Sequence, residues 1–169
     1  MGDLKDPTDV VADFFYPHPP ERVWGVLVNP EVMGDWFVEQ VGFRPVAGTR
    51  FRLVDFPVPI ANYSGAIASE VLVATRNETL AIAWWDTKSP EPVTWRTMWT
   101  LCAVPNGTMV TLSRPAFGSD DPALRRMAAL SDRFWPTAMT KLGRLIDRAA
   151  TAPAGEGGVE RSCGPSLPG

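Results

Sequence analysis

Histidine is almost absent from this chain. Its 169 residues include one, His18, and a single imidazole cannot build a His-rich zinc site, an HExxH helix or a paired-imidazole acid/base centre. A Ser-His-Asp or Cys-His arrangement would have to run through that residue, which sits in a prolyl turn between Pro17 and Pro19. Cysteine is nearly as scarce. Cys102 and Cys163 offer one bridge at most, between a strand-like stretch and a Gly/Pro-rich tail, and free thiols are expected. A basic excess is missing too: 16 Lys and Arg face 19 Asp and Glu, for a net charge of −3. Phosphate counterion release needs a basic field, so no nucleic-acid partner is expected. No apolar run approaches the roughly 20 residues that cross a bilayer, and the N-terminus carries no basic-then-apolar signal pattern. A cytoplasmic protein without a membrane partner is the expectation. There is no Walker loop, GxGxxG fingerprint, CxxC motif or metal-ligand cluster, so neither a cofactor nor a metal is called for, and no catalytic residue is assigned.

What is present is unusual in another way. Seven tryptophans and 17 prolines accompany an ordinary 45 % of hydrophobic residues. At about 100–150 residues per domain, the length suits one domain. Residues 1–9 read as a flexible lead-in, 10–150 as the folded domain and 151–169 as a disordered Pro/Gly-rich tail.

Val10–Tyr16 is rich in β-branched and aromatic residues and suits a first strand, stopped by Pro17, Pro19 and Pro20. Glu21–Val28 and Pro30–Trp36 read as two short helices, each with a proline near its start. Six strand-like stretches follow: Gln40–Pro45, Gly48–Val54, Tyr63–Ala74, Thr79–Trp85, Val93–Val104 and Thr108–Arg114. Reversals are expected at Arg76-Asn77-Glu78 and at Pro105-Asn106-Gly107, where Asn-Gly is a hairpin signal. Asp121 caps a long helix to about Ala150, with Leu124, Met127, Trp135, Ala138, Leu142 and Leu145 among its apolar positions at steps of three and four. Pro136 predicts a kink or break inside it. This order is that of an α+β helix-grip fold: a curved antiparallel sheet of about seven strands, wrapped around its last helix.

Strand alternation assigns the faces. Trp95, Thr97, Trp99 and Leu101 share one side of their strand, Val110, Leu112 and Arg114 one side of the next, and Leu80, Ile82 and Trp84 one side of a third; these are taken as inward. The candidate ligand-binding residues are therefore Trp84, Trp95, Trp99 and Trp135 as flat apolar walls, with Leu112 and Ala138 beside them. Arg114 and Tyr63 would orient a polar ligand group. The competing reading is that the indoles simply fill a core, and that Arg114 pairs with Asp86 or Asp132 or reaches solvent at the strand end. His18 reads as a surface turn residue.

The stretch FFYPHPPERVWGVLVNPEVMGDWF (residues 14–37) resembles the opening of the SRPBCC superfamily, the START-like or Bet v-like proteins. Within it the chain is most similar to the branch of heat-shock-protein ATPase activator homologues, through Pro19, Glu21, Val23, Trp24, Pro30, Trp36 and Phe37. GTRFRL (48–53), NGTMVTLSRPAF (106–117) and FWPTAMTKLGRLI (134–146) extend the likeness over about residues 9–150. Phe134 stands where a Gly is common, and Arg114 where many members carry His. The resemblance implies a helix-grip fold with an internal cavity that binds a small hydrophobic or aromatic molecule, such as a polyketide-like metabolite or lipid, in secondary-metabolite biosynthesis or self-resistance. It leaves two alternatives open: a polyketide cyclase/aromatase that works mainly by orienting its substrate, and a co-chaperone-like activator with a chaperone partner.

Overall fold

The computed structural model describes residues 9–54, 64–90, 93–117 and 120–151. Its elements run β1 (Val10–Tyr16), α1 (Pro20–Leu27), α2 (Met33–Trp36), β2 (Gln40–Val41), β3 (Arg50–Leu53), β4 (Ile67–Thr75), β5 (Thr79–Asp86), β6 (Trp95–Val104), β7 (Gly107–Arg114) and α3 (Pro122–Ala150). The strands form one sheet in the order β1-β7-β6-β5-β4-β3-β2, with every pairing antiparallel. The sheet is curved and α3 packs across it, which is the expected helix-grip α+β architecture.

Local chemistry explains the reversals. Asn77 turns β4 into β5 at φ 63°, and Asn106 turns β6 into β7 at φ 68°, a conformation asparagine tolerates better than most residues. The second loop is Pro105-Asn106 rather than the expected Asn-Gly, because Gly107 already pairs with Val104 as the first residue of β7. A Cβ at Gly107 would lie 2.2 Å from the Tyr16 carbonyl oxygen. The glycine thus admits the end of β1 instead of making the turn. The stretch 40–45 is strand only at Gln40–Val41, since Gly42 at φ 93° breaks the extended course and lets Phe43 fold back edge-on to Phe51, 5.2 Å between ring centroids.

The inner face follows the predicted parity. Across the sheet Leu80 pairs with Trp99, and Trp99 with Leu112; all three are buried. A bulge in β4 breaks the alternation: Val71 pairs with Ile82, but Val73 with Ala81. The extra residue, Leu72, resets the phase, so Ile67, Ser69 and Val71 face inward before it and Ala74 packs on the core after it.

Helix α3 buries Trp135, Ala138, Met139, Leu142 and Ile146, a stripe with helical spacing. Asp121 caps it by accepting the Ala123 N–H at 2.8 Å. The expected break at Pro136 does not occur; the helix runs 29 residues without interruption. Pro136 lies on the exposed side while its neighbours Trp135, Ala138 and Met139 are buried, so packing on both sides of the proline offsets the hydrogen bond it removes.

Two contacts set the helix against β1. The Tyr16 hydroxyl donates to the Met139 carbonyl at 2.7 Å, and Gly143 leaves room for the Tyr16 ring, which a Cβ there would approach to 2.9 Å. His18 is not a free surface residue: its side chain is 12 % exposed, and Nε2 lies 2.6 Å from the Asp147 carboxylate. The expectation of free thiols also fails, because Cys102 is disulfide-bonded. It points away from the core, as the alternation of β6 requires, and is therefore placed for such a bond. Cys163, residues 1–8 of the expected 1–9 lead-in and residues 152–169 of the expected 151–169 tail lie outside the described residues.

Two glycine substitutions should have opposite effects. Gly107→Ala must push β1 away from β7 and is expected to cost at least about 2 kcal/mol, whereas Gly25→Ala, in α1 with nothing within 4 Å, should stabilise by about 0.5–1 kcal/mol. Urea unfolding of the two variants checks both signs.

Candidate functional site

The aromatic rings packed between the sheet and α3 fall into two groups. In the first, Trp99 from β6 meets Trp135 from α3 edge to face, 5.7 Å between ring centroids. Leu112, opposite Trp99 on β7, and Ala138, one turn beyond Trp135, are buried in the same core cluster. The end of α2 completes this group. Its last turn closes with the Phe37 N–H bonded to the Met33 carbonyl at 2.9 Å, which brings Trp36 within 6.1 Å of Trp99 and stacks Phe37 on Trp135 at 5.4 Å. The Phe134 ring, 6.0 Å from that of Phe37, adds a further edge.

The second group lies farther along β5 and β6. Trp84 and Trp95 are directly opposite across the two strands, and Phe117 packs on Trp95 at 4.6 Å and on Trp84 at 6.1 Å. Met127 from the first half of α3 joins this cluster. The four tryptophans expected to line one wall therefore divide between two clusters, and Trp84, which packs against both, links them. From the sequence, Trp36 and Phe37 stand out only through the family resemblance; their place beside Trp99 and Trp135 depends on the turn at Phe37, which no periodicity signals. Tyr63 lies outside the described residues.

Polar groups on the inner face are few and mostly satisfied. Arg114 is 6 % exposed, at the end of β7. Its guanidinium pairs with Asp132 of α3, whose side chain is 65 % exposed, and reaches the Pro115 carbonyl at 3.5 Å. Of the expected partners for Arg114, Asp132 is thus the one it meets. Asp86 instead accepts from the Ser64 amide at 2.7 Å, the Ser64 hydroxyl and the Lys88 amide at 2.9 Å. Burial alone would push the Asp86 carboxyl up, but these hydrogen bonds outweigh it and hold the group below the usual carboxylate value. The Trp84 indole donates to the Thr97 hydroxyl at 3.2 Å. Among the described residues three buried side-chain polar atoms have no partner: Nε1 of Trp36, Nε1 of Trp99 and Oγ of Ser69. Ser69 was missed by sequence reasoning, because the bulge hides which way β4 faces. Among the described residues no group of three His, Cys, Asp or Glu side chains is placed to hold a metal ion.

The family model of Activator of Hsp90 ATPase homolog 1-like proteins matches residues 17–147. The chain belongs to this family. As an Activator of Hsp90 ATPase homolog 1-like protein it is similar to protein MLL2253 from Mesorhizobium loti, at 28 % identity and a TM-score of 0.67 over 83 % of this chain and 97 % of that one. Two further solved structures share the fold. DynU16, a protein of the dynemicin biosynthetic locus, is 17 % identical with a TM-score of 0.60, over 85 % of this chain and 49 % of its own longer one. The Aha1 dimer from Colwellia psychrerythraea is 13 % identical with a TM-score of 0.62, over 82 % and 95 %. No curated protein matches. Among the described residues no helix is long and apolar enough to cross a membrane.

Two stability effects follow from these polar contacts. Asp132→Ala leaves the Arg114 guanidinium buried without its counter-charge and is expected to cost about 1–2 kcal/mol, less than a fully buried pair because Asp132 is largely exposed. Adding Arg114→Met should recover part of that loss, so a double-mutant cycle in urea will show coupling. The lowered Asp86 pKa contributes stability that is complete above the unfolded-state value near 4 and is lost as pH falls through the folded value. Acid unfolding of Asp86→Asn should therefore start from a lower stability at pH 7 and decline less steeply below about pH 4.

Proposed function

We propose that this protein binds a small hydrophobic or aromatic molecule between the inner face of the sheet and α3. The observation that carries the reading is the trio of unpartnered polar atoms at Trp36, Ser69 and Trp99, in residues no more than 2 % exposed. Buried polar groups in folded proteins are nearly always hydrogen-bonded, and a core selected only for stability would pair these or replace them. An aromatic-walled interior with a few donors is the usual chemistry of a small-molecule site. DynU16's origin in a biosynthetic locus favours a secondary metabolite of polyketide type as the ligand, with a role in its synthesis or in self-resistance. Trp99 and Trp135 would contact it in one part of the site, with Leu112 and Ala138 beside them; Trp84 and Trp95 would do so in the other. Arg114 and Tyr63 would orient its polar end.

Burial of an aromatic ligand against these indoles contributes about 25 cal/mol per Å² of apolar surface removed from water. Native mass spectrometry of freshly purified protein should reveal a bound small molecule. Titration with aromatic polyketides should quench tryptophan emission, and Trp99→Ala should weaken binding about tenfold or more. If there is neither a bound mass nor quenching across aromatic polyketides and fatty acids, the reading fails. The family name supports a second reading, a chaperone ATPase partner. Capture of such an ATPase that persists in Trp99→Ala would favour it over the small-molecule site.

A further inference from the structure

The polar atoms left over in this interior are unequal in kind. Both indole groups, Trp36 Nε1 and Trp99 Nε1, can only donate, while the Ser69 hydroxyl can donate or accept. Several acceptors of the domain are already engaged. Asp86 receives three hydrogen bonds, and the Thr97 hydroxyl oxygen receives the Trp84 indole. The Met139 carbonyl receives the Tyr16 hydroxyl. Among the described residues, no buried side-chain atom that can only accept is left without a partner. The two indoles belong to one cluster, with ring centroids 6.1 Å apart and planes at 84°, and the flat pair Phe37 and Trp135 stacks beside them at 5.4 Å.

Resting on the small-molecule reading above, we infer that the ligand is an aromatic ketone or quinone, held by a carbonyl oxygen that accepts from the Trp36 and Trp99 indole N–H groups. A carbonyl oxygen has two lone pairs and can take two donors at once. A saturated acyl chain laid against them would leave both N–H groups unpaired, whereas a carbonyl oxygen satisfies both without adding a donor of its own. Discrimination of this kind is large when a site's buried polar groups are left unpaired by the wrong ligand. The surrounding rings supply contact area that does not distinguish a ketone from its hydrocarbon, so the selectivity rests on the two indoles.

The matched pair 9-fluorenone and fluorene, the same ring system with C=O in place of CH2, isolates the acceptor. Equilibrium dialysis of the full chain should show fluorenone binding about tenfold or more tighter than fluorene. Trp36→Phe and Trp99→Phe, which keep a ring but delete the N–H, should each lower that ratio towards one. In a proton–nitrogen correlation spectrum, two of the seven indole signals should shift with fluorenone and not with fluorene. Equal binding of the two compounds by the wild-type protein would overturn the carbonyl assignment while leaving the small-molecule site standing. Failure to bind fluorenone, fluorene and dodecanoate alike would overturn both. The wild-type comparison decides the matter even where a tryptophan variant fails to fold.

Discussion

The hydroxyl of Tyr16 holds α3 to the sheet, and the interior takes its shape from that contact. Tyr16 ends the first strand and Met139 lies 123 residues later, so the bond joins opposite ends of the domain. Burial pushes the phenol well above its ordinary pKa, which keeps it a donor throughout the physiological range. Two glycines make the approach possible. Gly107 lets β7 pass beneath the Tyr16 carbonyl, and Gly143 lets the helix backbone come up to the ring. The neighbouring His18 repeats the linkage about two turns farther along, through Asp147, and its carbonyl accepts the Thr108 hydroxyl at 2.7 Å. With the second half of α3 anchored in this way, Trp135 and Ala138 are carried over Trp99 and Leu112.

Much of the fold was legible because its signals are local. Asp121 and Pro122 mark the start of α3, and strict alternation in β5, β6 and β7 shows which residues turn inward, down to the burial of Arg114. What escaped depends on contacts between distant segments. The division of the tryptophans arises because Phe117 and Met127 meet Trp84 and Trp95, a meeting of β7's exit with the first half of α3. The continuity of α3 through Pro136 likewise depends on tertiary packing overriding a local preference. The Arg114 partner was legible only as a choice between Asp86 and Asp132, and three hydrogen bonds from Ser64 and Lys88 commit Asp86 elsewhere.

Aromatic side chains serve two purposes in this interior. Trp84 shows the structural one: its indole is satisfied by Thr97 and its ring bridges both clusters. Trp36 and Trp99 bury as much surface but leave their N–H groups idle, which a fold could avoid by using phenylalanine. Polar capacity concentrated in one aromatic cluster is the physical basis of the proposal that this region recognises a ligand.

The bulge at Leu72 bears on how such an interior can change over generations. It splits β4 into two halves of opposite phase, with Ser69 set by the first half and Ala74 by the second. Flattening the bulge with Leu72 retained would turn Val73 inward in place of Ala74, and gaining a residue within Ile67–Val71 would rotate Ser69 out to solvent. For a lineage diversifying this interior, β4 is therefore open to substitution and closed to insertion ahead of the bulge.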